Sequence, residues 1–316
     1  MRAPEFWQSG GLAAALLAPL GWLTAGLTAR RMARQGWHAP VPVICCGNAT
    51  AGGAGKTTLA LDLATRLAPR RVAFLTRGHG GQERGPHRVV AGDTATRVGD
   101  EALLLAEAAP TWVAADRAAG ARAAVAAGAQ VLVMDDGLQN PTLAKDLSLL
   151  VIDGASGFGN GRLIPAGPLR EPVAAAAARC RAAVLIGEDR AGARALLPSG
   201  LPVLRARLVQ REVEPLVGSR AFAFAGIGLP DKFFAGLRTA GVDLAGTWAF
   251  PDHHPYTAAE ISEVRARAQA LGAVPVTTPK DAARLSPELR AGMRVVGVAL
   301  AWEDEAALAA LLAKVE

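Results

Sequence analysis

The sequence predicts an α/β fold in which a doubly wound parallel sheet is preceded by an apolar helix and followed by a second, smaller α/β domain. From residue 41 onward, short aliphatic runs alternate with Ala/Leu-rich stretches of helical length. The aliphatic runs are continuously apolar, which is typical of parallel strands covered on both faces. A glycine-rich stretch joins the first of these runs to the first helical stretch, as in doubly wound sheets.

Composition and charge narrow the class of protein. The chain has 316 residues, 51% hydrophobic and 20% charged, which suffices for one large or two medium folded domains. The net charge is +6, but the basic residues form no run and few aromatic residues lie between them, so no nucleic-acid partner is expected. A basic surface instead favours anionic lipid or a phosphorylated substrate. The three cysteines are expected to be buried thiols in a reducing compartment.

Residues 1–38 are predicted to form an N-terminal membrane-associated helix. Residues 6–29 carry no charge and are followed at once by arginines. Because Pro19 and Gly21 interrupt this stretch, a helix lying in the membrane interface is favoured over a spanning one. A helix packed on the protein's own core is the alternative. Five leucines share one face at helical spacing: Leu12, Leu16, Leu20, Leu23 and Leu27.

The sheet domain is predicted to cover residues 39–200. Its strands are expected at 41–46, 72–76, 112–115, 131–135, 149–153 and 183–186, and its helices at 57–67, 100–108 and 117–127. A Gly/Pro-rich loop at 154–172 interrupts this alternation.

The smaller α/β domain is predicted to cover residues 201–316. An extended connection at 201–216 leads into it. A strand at 221–227 and a helix at 230–239 begin its βα pattern, and further strands are expected near 274–278 and 294–300.

The stretch GNATAGGAGKTTLALDLATRL, residues 47–67, has the parts of a phosphate-binding loop (P-loop). Such a loop directs backbone N–H groups at phosphate, adds a lysine for the terminal phosphates and supplies a hydroxyl for Mg²⁺. Thr50 stands where the usual pattern has its first glycine, which changes the entry to the loop and leaves the phosphate cradle intact. The predicted nucleotide-binding residues are Thr50, Ala51, Gly52, Gly53, Ala54, Gly55, Lys56 and Thr57.

The stretch VMDDGLQN supplies carboxylates at the end of a predicted strand. A magnesium site beside a P-loop needs such a carboxylate, and Asp135 and Asp136 both qualify. In an alternating strand the two side chains point to opposite faces, so one is expected to ligate the metal and the other to position water or a second partner. Which one ligates is open, and a turn-capping role is the alternative for either.

Two further stretches hold candidates for activating an acceptor hydroxyl, as a kinase requires. In VGDEALLLA, Asp100 begins a predicted helix, where a capping role is the alternative. In FPDHHPY, His253 and His254 are adjacent and point in different directions, which argues against a metal site shared by both. A switch ATPase or GTPase of the partitioning or insertion type would use a similar loop, but it carries a signature lysine where this chain has Ala51.

Eight motifs in this chain resemble those of the tetraacyldisaccharide 4′-kinase family of lipid A biosynthesis. In chain order they are GNATAGGAGKT, LTRGHGG, VGDEALLLA, VMDDGLQN, GNGRLIPAGPLREP, FAGIGLPDKFF, FPDHHPY and TTPKDAARL. They follow the family order and span nearly the whole chain, and although each is modest alone, the ordered set is highly specific. Departures at Thr58, His79, Ala102, Leu138 and Pro279 affect local loop geometry and remove no charged candidate.

The resemblance implies a P-loop domain and a smaller domain joined by extended strands, with ATP and Mg²⁺ as cofactors. It implies transfer of the γ-phosphoryl group of ATP to the 4′-hydroxyl of a tetraacyldisaccharide 1-phosphate. Asp100 and His253 would form the pair that activates this hydroxyl, and Lys56 would contact the terminal phosphates. The same resemblance assigns metal and phosphate contacts to Thr57, Asp135, Asp136, Arg170 and Glu171.

A substrate with four acyl chains is expected to stay in the bilayer, because each buried CH₂ contributes about 0.8 kcal/mol. The enzyme is therefore expected to bind an anionic membrane surface and to take only the sugar headgroup into its site. The expected location is the cytoplasmic face of the inner membrane of a Gram-negative bacterium, and the expected state is a monomer. A membrane-associated P-loop switch ATPase or GTPase remains the alternative function.

Overall fold

The computed structural model describes residues 4–315, and residues 1–3 and 316, the outer ends of the first and last predicted segments, lie outside the described residues. The described chain forms two sheets with helices on their faces. The strands are β1 (Val43–Gly47), β2 (Val72–Thr76), β3 (His87–Arg88), β4 (Thr111–Val113), β5 (Val131–Asp135), β6 (Leu147–Asp153), β7 (Ala182–Ile186), β8 (Val203–Arg211), β9 (Arg220–Ala225), β10 (Asp243–Ala249), β11 (Val274–Thr277), β12 (Arg294–Val295) and β13 (Gly297–Trp302). The α-helices are α1 (Phe6–Ser9), α2 (Leu12–Met32), α3 (Lys56–Arg66), α4 (Ala95–Val98), α5 (Asp100–Ala108), α6 (Arg117–Ala126), α7 (Val173–Ala177), α8 (Pro230–Thr239), α9 (Ala258–Ala270), α10 (Pro279–Ala282), α11 (Pro287–Arg290) and α12 (Glu305–Leu312).

The larger sheet has nine strands in the order β13-β8-β7-β6-β1-β5-β2-β4-β3. Its interior strands are parallel, and the edge strands β13 and β3 run antiparallel to their neighbours. Strand β1 lies between β6 and β5, and Cys46 near its end is in register with Asp135 at the end of β5. The chain therefore leaves β1 and β5 side by side at the carboxyl edge of the sheet, where ligands bind in open α/β sheets.

Apolar cores cover both faces of this sheet, as the continuous apolar strands predict. One core packs Leu59 and Leu63 of α3 against the strands together with Leu308 and Leu312 of α12. The other packs Ala121 and Ala124 of α6, Leu138 and Leu143 against the opposite face. The predicted α/β fold class is confirmed, and the predicted strands and helices of this sheet match the observed ones to within two residues at each end.

The smaller sheet has four parallel strands in the order β10-β9-β11-β12. Phe233, Phe234 and Leu237 of α8 cover one face, and Ile261 and Val264 of α9 cover the other. The predicted second βα unit is thus present, with its helix at Pro230–Thr239.

Sheet membership does not follow the predicted boundary at residue 200. The segment expected to be an extended connection forms β8, which pairs with β7 in the larger sheet. The strand expected near 294–300 in the smaller domain is divided, because β12 joins the smaller sheet while β13 pairs antiparallel with β8. Periodicity predicts that a strand exists and not which neighbour it pairs with, so the chain's return to the first sheet was missed. The division into domains at residues 38 and 200 stays a prediction.

Helix α2 contacts the loop at 154–172 through its small residues. A Cβ built on Gly21 would lie 3.0 Å from the Cβ of Leu163, and the hydroxyl of Thr24 donates to the carbonyl of Ile164 at 2.8 Å. The leucine face points away from the protein, with its five leucines 52–78% exposed. The structure therefore does not pack the leucine face on the protein's own core, which was the alternative. By length and composition α2 is apolar enough to cross a membrane.

Candidate active site

The P-loop begins where β1 ends and closes on the first turn of α3. Gly52 and Gly55 have φ values of +124° and +89°, a region that residues with a Cβ rarely adopt, and α3 begins directly after Gly55. Thr50 does not need a glycine's freedom, because it forms a β-bridge with Leu169. The loop at 154–172 thus braces the entry to the P-loop, and the bond from the N–H of Ala51 to the carbonyl of Pro168, 2.8 Å long, extends this contact.

The ammonium group of Lys56 lies inside the curve of the loop. It donates to Oδ1 of Asn48 at 3.1 Å and lies 3.8 Å from a carboxylate oxygen of Asp136. The amide nitrogen of Asn48 faces the loop itself, with the hydroxyl of Thr50 at 3.3 Å and the carbonyl of Gly52 at 3.4 Å. Asn48 is fully buried, so it orients both the lysine and the loop that a phosphate would meet.

Thr57 and Asp135 form the expected hydroxyl–carboxylate pair. The hydroxyl of Thr57 donates to Oδ2 of Asp135 at 2.9 Å. The other oxygen, Oδ1, is buried without a hydrogen-bond partner among the described residues. Burial raises the pKa of Asp135 to about 7, assisted by the negative charge of Glu101. A buried, unsatisfied carboxylate oxygen beside a threonine hydroxyl fits the donor set of a Mg²⁺ ion.

Asp136 also faces the P-loop, which a regular strand would prevent. Its φ of +59° puts it in the left-handed region directly after β5 ends, so the alternation of side chains stops there. Nη1 of Arg170 lies 3.0 Å from each of its carboxylate oxygens. Burial alone would raise the pKa of Asp136, but the charges of Lys56 and Arg170 lower it. Both acids therefore lie at the P-loop, Asp135 next to Thr57 and Asp136 between Lys56 and Arg170.

Glu171 is linked to the P-loop through the side chain of Gln139. Its carboxylate is buried and accepts two bonds from Nη2 of Arg179, at 2.6 and 2.7 Å. The amide of Gln139 donates both to this carboxylate and to the carbonyl of Asn48, each at 2.8 Å. The metal role of Glu171 stays a prediction, while the observed contacts make it an anchor for the strand-end loop.

Asp100 and His253 meet across the two sheets. Asp100 begins α5 beside the larger sheet, and His253 follows β10 of the smaller one. Oδ2 of Asp100 lies 3.1 Å from Nδ1 of His253, and its Oδ1 accepts the N–H of Glu101 at 3.0 Å. The N-cap of α5 is Gly99 and not Asp100, so the capping role weighed from the sequence is wrong. The carboxylate instead accepts the N–H of the next residue and pairs with a histidine. His254 instead lies 2.9 Å from Glu260, which separates the two adjacent histidines.

The environment of this pair favours its charged form. Burial would raise the pKa of Asp100, but hydrogen bonds from His253 and Arg284 hold that pKa well below the ordinary range of a carboxyl. The hydrogen bond to Asp100 raises the pKa of His253. His253 has a φ of +58°, one of three non-glycine residues in the described chain with positive φ. Backbone strain of this kind persists where the surroundings fix it and is frequent at active sites.

Several residues of the site carry no role in the sequence-based interpretation. Asn48, Gln139 and Arg284 lie inside the quoted motifs GNATAGGAGKT, VMDDGLQN and TTPKDAARL, so the motif match was the available signal. No signal in the sequence pointed to Arg117, since it lies outside every quoted motif. It is buried, donates to the carbonyl of Asp136 at 3.1 Å and so supports the left-handed turn there.

A P-loop at the end of β1, acids at the end of the adjacent β5 and a carboxylate–imidazole pair facing the second sheet define a P-loop phosphotransferase. The chain matches the model of the LpxK family, tetraacyldisaccharide-1-P 4′-kinase, over residues 13–316. The chain therefore belongs to this family.

Similar proteins and a solved structure agree with this family assignment. The chain is 61% identical to a tetraacyldisaccharide 4′-kinase of Gluconacetobacter diazotrophicus, covering 99% of this chain and 97% of the relative. It is 55% identical to that of Rhodospirillum centenum, covering 99% and 96%. It also resembles the crystal structure of LpxK from Aquifex aeolicus in complex with ATP, with a TM-score of 0.78, 26% identity, and coverage of 96% of this chain and 99% of that one. The predicted family and enzyme class are confirmed, and the switch ATPase or GTPase is not favoured.

Proposed function

We propose that this chain transfers the γ-phosphoryl group of ATP to the 4′-hydroxyl of a tetraacyldisaccharide 1-phosphate, using Asp100 and His253 as the pair that receives the hydroxyl proton. The observation that carries this proposal is the 3.1 Å contact between Asp100 and His253 in a P-loop protein of this family. A switch protein needs to orient water, whereas a kinase needs a group that accepts a proton from an alcohol.

The side chains support each part of this reaction. Nδ1–H of His253 donates to Asp100, which leaves Nε2 to accept the proton as the 4′-oxygen bonds to the γ-phosphorus. The bond from that phosphorus to the bridging oxygen breaks, and ADP leaves with the electron pair. Lys56 and the backbone N–H groups of the P-loop stabilise the charge on the phosphates, and Arg170 is available to the anionic oxygens.

Residues present in the chain fit Mg²⁺. Thr57 and Asp135 would hold the ion, with Asp136 beside them, and when bound it would neutralise phosphate charge. The pKa of Asp135, raised by burial to about 7, would fall when a cation binds its unsatisfied oxygen.

The leucine face of α2 supports association with the membrane that holds the acyl chains. Five exposed leucines on one face and arginines at its C-terminal end suit the apolar and the anionic parts of a bilayer surface. By the positive-inside rule these arginines favour the cytoplasmic face of the inner membrane. One protomer carries both Asp100 and His253, and it acts as a monomer in this proposal.

One assay tests the proposal. ATP turnover is measured with and without the disaccharide lipid in detergent micelles, and lipid product is quantified beside ADP. A kinase forms ADP in proportion to phosphorylated lipid and little ADP without it. ADP formation that is equal with and without lipid, with no phosphorylated lipid, would support the switch ATPase instead.

A further inference from the structure

Arg284 links the proton-accepting pair to the second sheet. It follows α10, and its side chain is 6% exposed. The guanidinium group donates to Oδ2 of Asp100, the same oxygen that faces His253. It also donates to Oδ1 of Asp281 at 3.0 Å and to the carbonyl of Gly226 at 2.8 Å.

The partners of Arg284 are themselves fixed. Oδ1 of Asp281 accepts the N–H of Gly226 and the hydroxyl of Tyr256, both at 2.9 Å. The carbonyl of Gly226 also accepts the N–H of His253 at 3.0 Å. Arg284 is therefore held at three points. Two of them, Gly226 and Asp281, follow strands of the smaller sheet, as His253 does.

We propose that Arg284 is a positioning residue for phosphoryl transfer, which holds the Asp100 carboxylate ionised and aligned on Nδ1 of His253. The inference rests on the proposed function, in which Asp100 and His253 receive the acceptor's proton. Arg284 acts through Asp100 and leaves the proton acceptor itself to the imidazole. Its planar fork suits this role, because it can bond two carboxylates and a carbonyl at once, which a lysine does not match.

The charge of Arg284 has a predictable effect on the pair. It lowers the pKa of Asp100, and its charge also opposes protonation of His253. Without it, Asp100 would keep only His253 as a charged partner, beside the N–H of Glu101, and protonation of the imidazole would become easier. Since the imidazole must be neutral to accept a proton, the active form would then appear at higher pH.

Other charged and titratable groups surround the pair and stay in place in the test. Asp252 lies 3.8 Å from Nε2 of His253, and the ring of His79 lies 6.2 Å from that of His253. Lys280 pairs with Glu101, the residue that follows Asp100 in α5, at 2.6 Å. Asp281 and Tyr256 lie on the far side of Arg284.

The test compares two variants of the full chain. Arg284→Gln keeps hydrogen-bond donors and removes the charge, and Arg284→Lys keeps the charge and loses the fork. The pKa of His253 is measured by NMR of the imidazole groups, of which the chain has five, and the pH profile of kcat for lipid phosphorylation is recorded. We expect the His253 pKa and the acid limb of kcat to rise by about one unit with Gln, and by less with Lys.

Arg290→Gln is the matched control, because Arg290 also forms an ion pair with α5, at 3.6 Å from Glu107, without touching Asp100. It should leave both readouts at the wild-type values. If Arg284→Gln does not fold, Arg284→Lys serves as the test, and the His253 pKa and the acid limb of kcat are again expected to rise. An unchanged His253 pKa, or a uniform loss of rate without a moved acid limb, would overturn the inference. The NMR readout needs no turnover, so a wild-type chain that fails to phosphorylate lipid would overturn the proposed function separately.

Discussion

Oδ2 of Asp100 lies 3.1 Å from Nδ1 of His253, although α5 belongs to the larger sheet and His253 follows a strand of the smaller one. The pair therefore exists only when the two sheets are correctly placed. Arg284 and the 2.6 Å ion pair between Lys280 and Glu101 lie at the same junction. The contact between the sheets thus assembles the group that the proposed reaction needs.

Asp100→Asn is expected to lower lipid phosphorylation by about 10²- to 10⁴-fold, the usual contribution of general-base catalysis, because the base, His253, loses the carboxylate that orients it. The amide preserves the shape of the side chain and an oxygen that accepts the N–H of Glu101, but it removes the negative charge that orients the imidazole. Asp304→Asn is the matched control, because Asp304 caps α12 at 2.8 Å from the N–H of Ala307. Rates of lipid phosphorylation for both variants are compared with that of the wild-type chain. A rate for Asp100→Asn within a few-fold of wild type would leave Asp100 with only a local role at the start of α5.

The contribution of His253 to stability is expected to fall as pH rises. Its pKa is raised in the folded state by the hydrogen bond to Asp100. The stabilisation is complete below the ordinary histidine value of about 6.5 and is lost as pH rises through the higher folded value. His253→Gln should therefore lower the free energy of unfolding more at about pH 6 than at about pH 8.5. Denaturant titrations at both pH values measure this, with the exposed His38→Gln controlling for loss of an imidazole. A larger cost at the higher pH would contradict the expected sign.

Asp135→Asn is expected to stabilise the nucleotide-free protein at about pH 8 while abolishing most transfer. Burial raises the pKa of Asp135 to about 7 in the folded state. Ionisation above the unfolded value therefore destabilises the fold, on the order of a few kcal/mol, and the gain should vanish near pH 4. Thermal melts across this pH range measure it.

Asp136→Asn is the control of opposite sign, because Lys56 and Arg170 lower the pKa of Asp136 against the effect of burial. That variant should be less stable than wild type at about pH 8. Adding Mg²⁺ and ATP should raise the melting temperature of the wild-type chain more than that of Asp135→Asn. An equal rise in both would remove Asp135 from the proposed metal site.

The double variant Leu16→Asp, Leu23→Asp is expected to lower partitioning onto anionic vesicles by at least about tenfold, since burying each leucine contributes about 1.5–3 kcal/mol. These leucines are 72% and 63% exposed on the same face of α2. Vesicle sedimentation measures partitioning, and activity is compared on lipid-embedded and detergent-dispersed substrate. Leu196→Asp, Val217→Asp changes two side chains of similar exposure, 57% and 56%, outside this helix. Equal partitioning of the two double variants would exclude α2 as the membrane-binding surface.

Much of the first domain follows from local sequence. The P-loop, its strand and its helix are specified by neighbouring residues, so these elements and the position of Lys56 at the start of α3 could be predicted. The start of α5 at Asp100 could also be predicted, since acidic residues in the first turn of a helix are a local signal, although the N-cap itself is Gly99. The pairing of Asp100 with His253 came from the family resemblance, because no local pattern relates residues on two sheets.

The features that could not be predicted depend on contacts between residues far apart in the sequence. The left-handed turn at Asp136 overturns the expectation that two adjacent acids must face opposite sides, and it depends on Arg117 and Arg170 from distant segments. The antiparallel return of β13 to β8 depends on pairing, which hydrophobic periodicity does not encode. Nothing in the sequence indicated that Arg284 would contact Asp100.

The most direct measurement is the position of the phosphate in the lipid product. The wild-type chain is incubated with Mg²⁺, ATP and the tetraacyldisaccharide 1-phosphate, and the purified lipid is examined by ³¹P–¹H correlation NMR. We expect a new phosphorus signal coupled to the proton on C4′, together with an equal amount of ADP. A product without that coupling, or ADP released with the lipid unchanged, would contradict phosphoryl transfer to the 4′-hydroxyl.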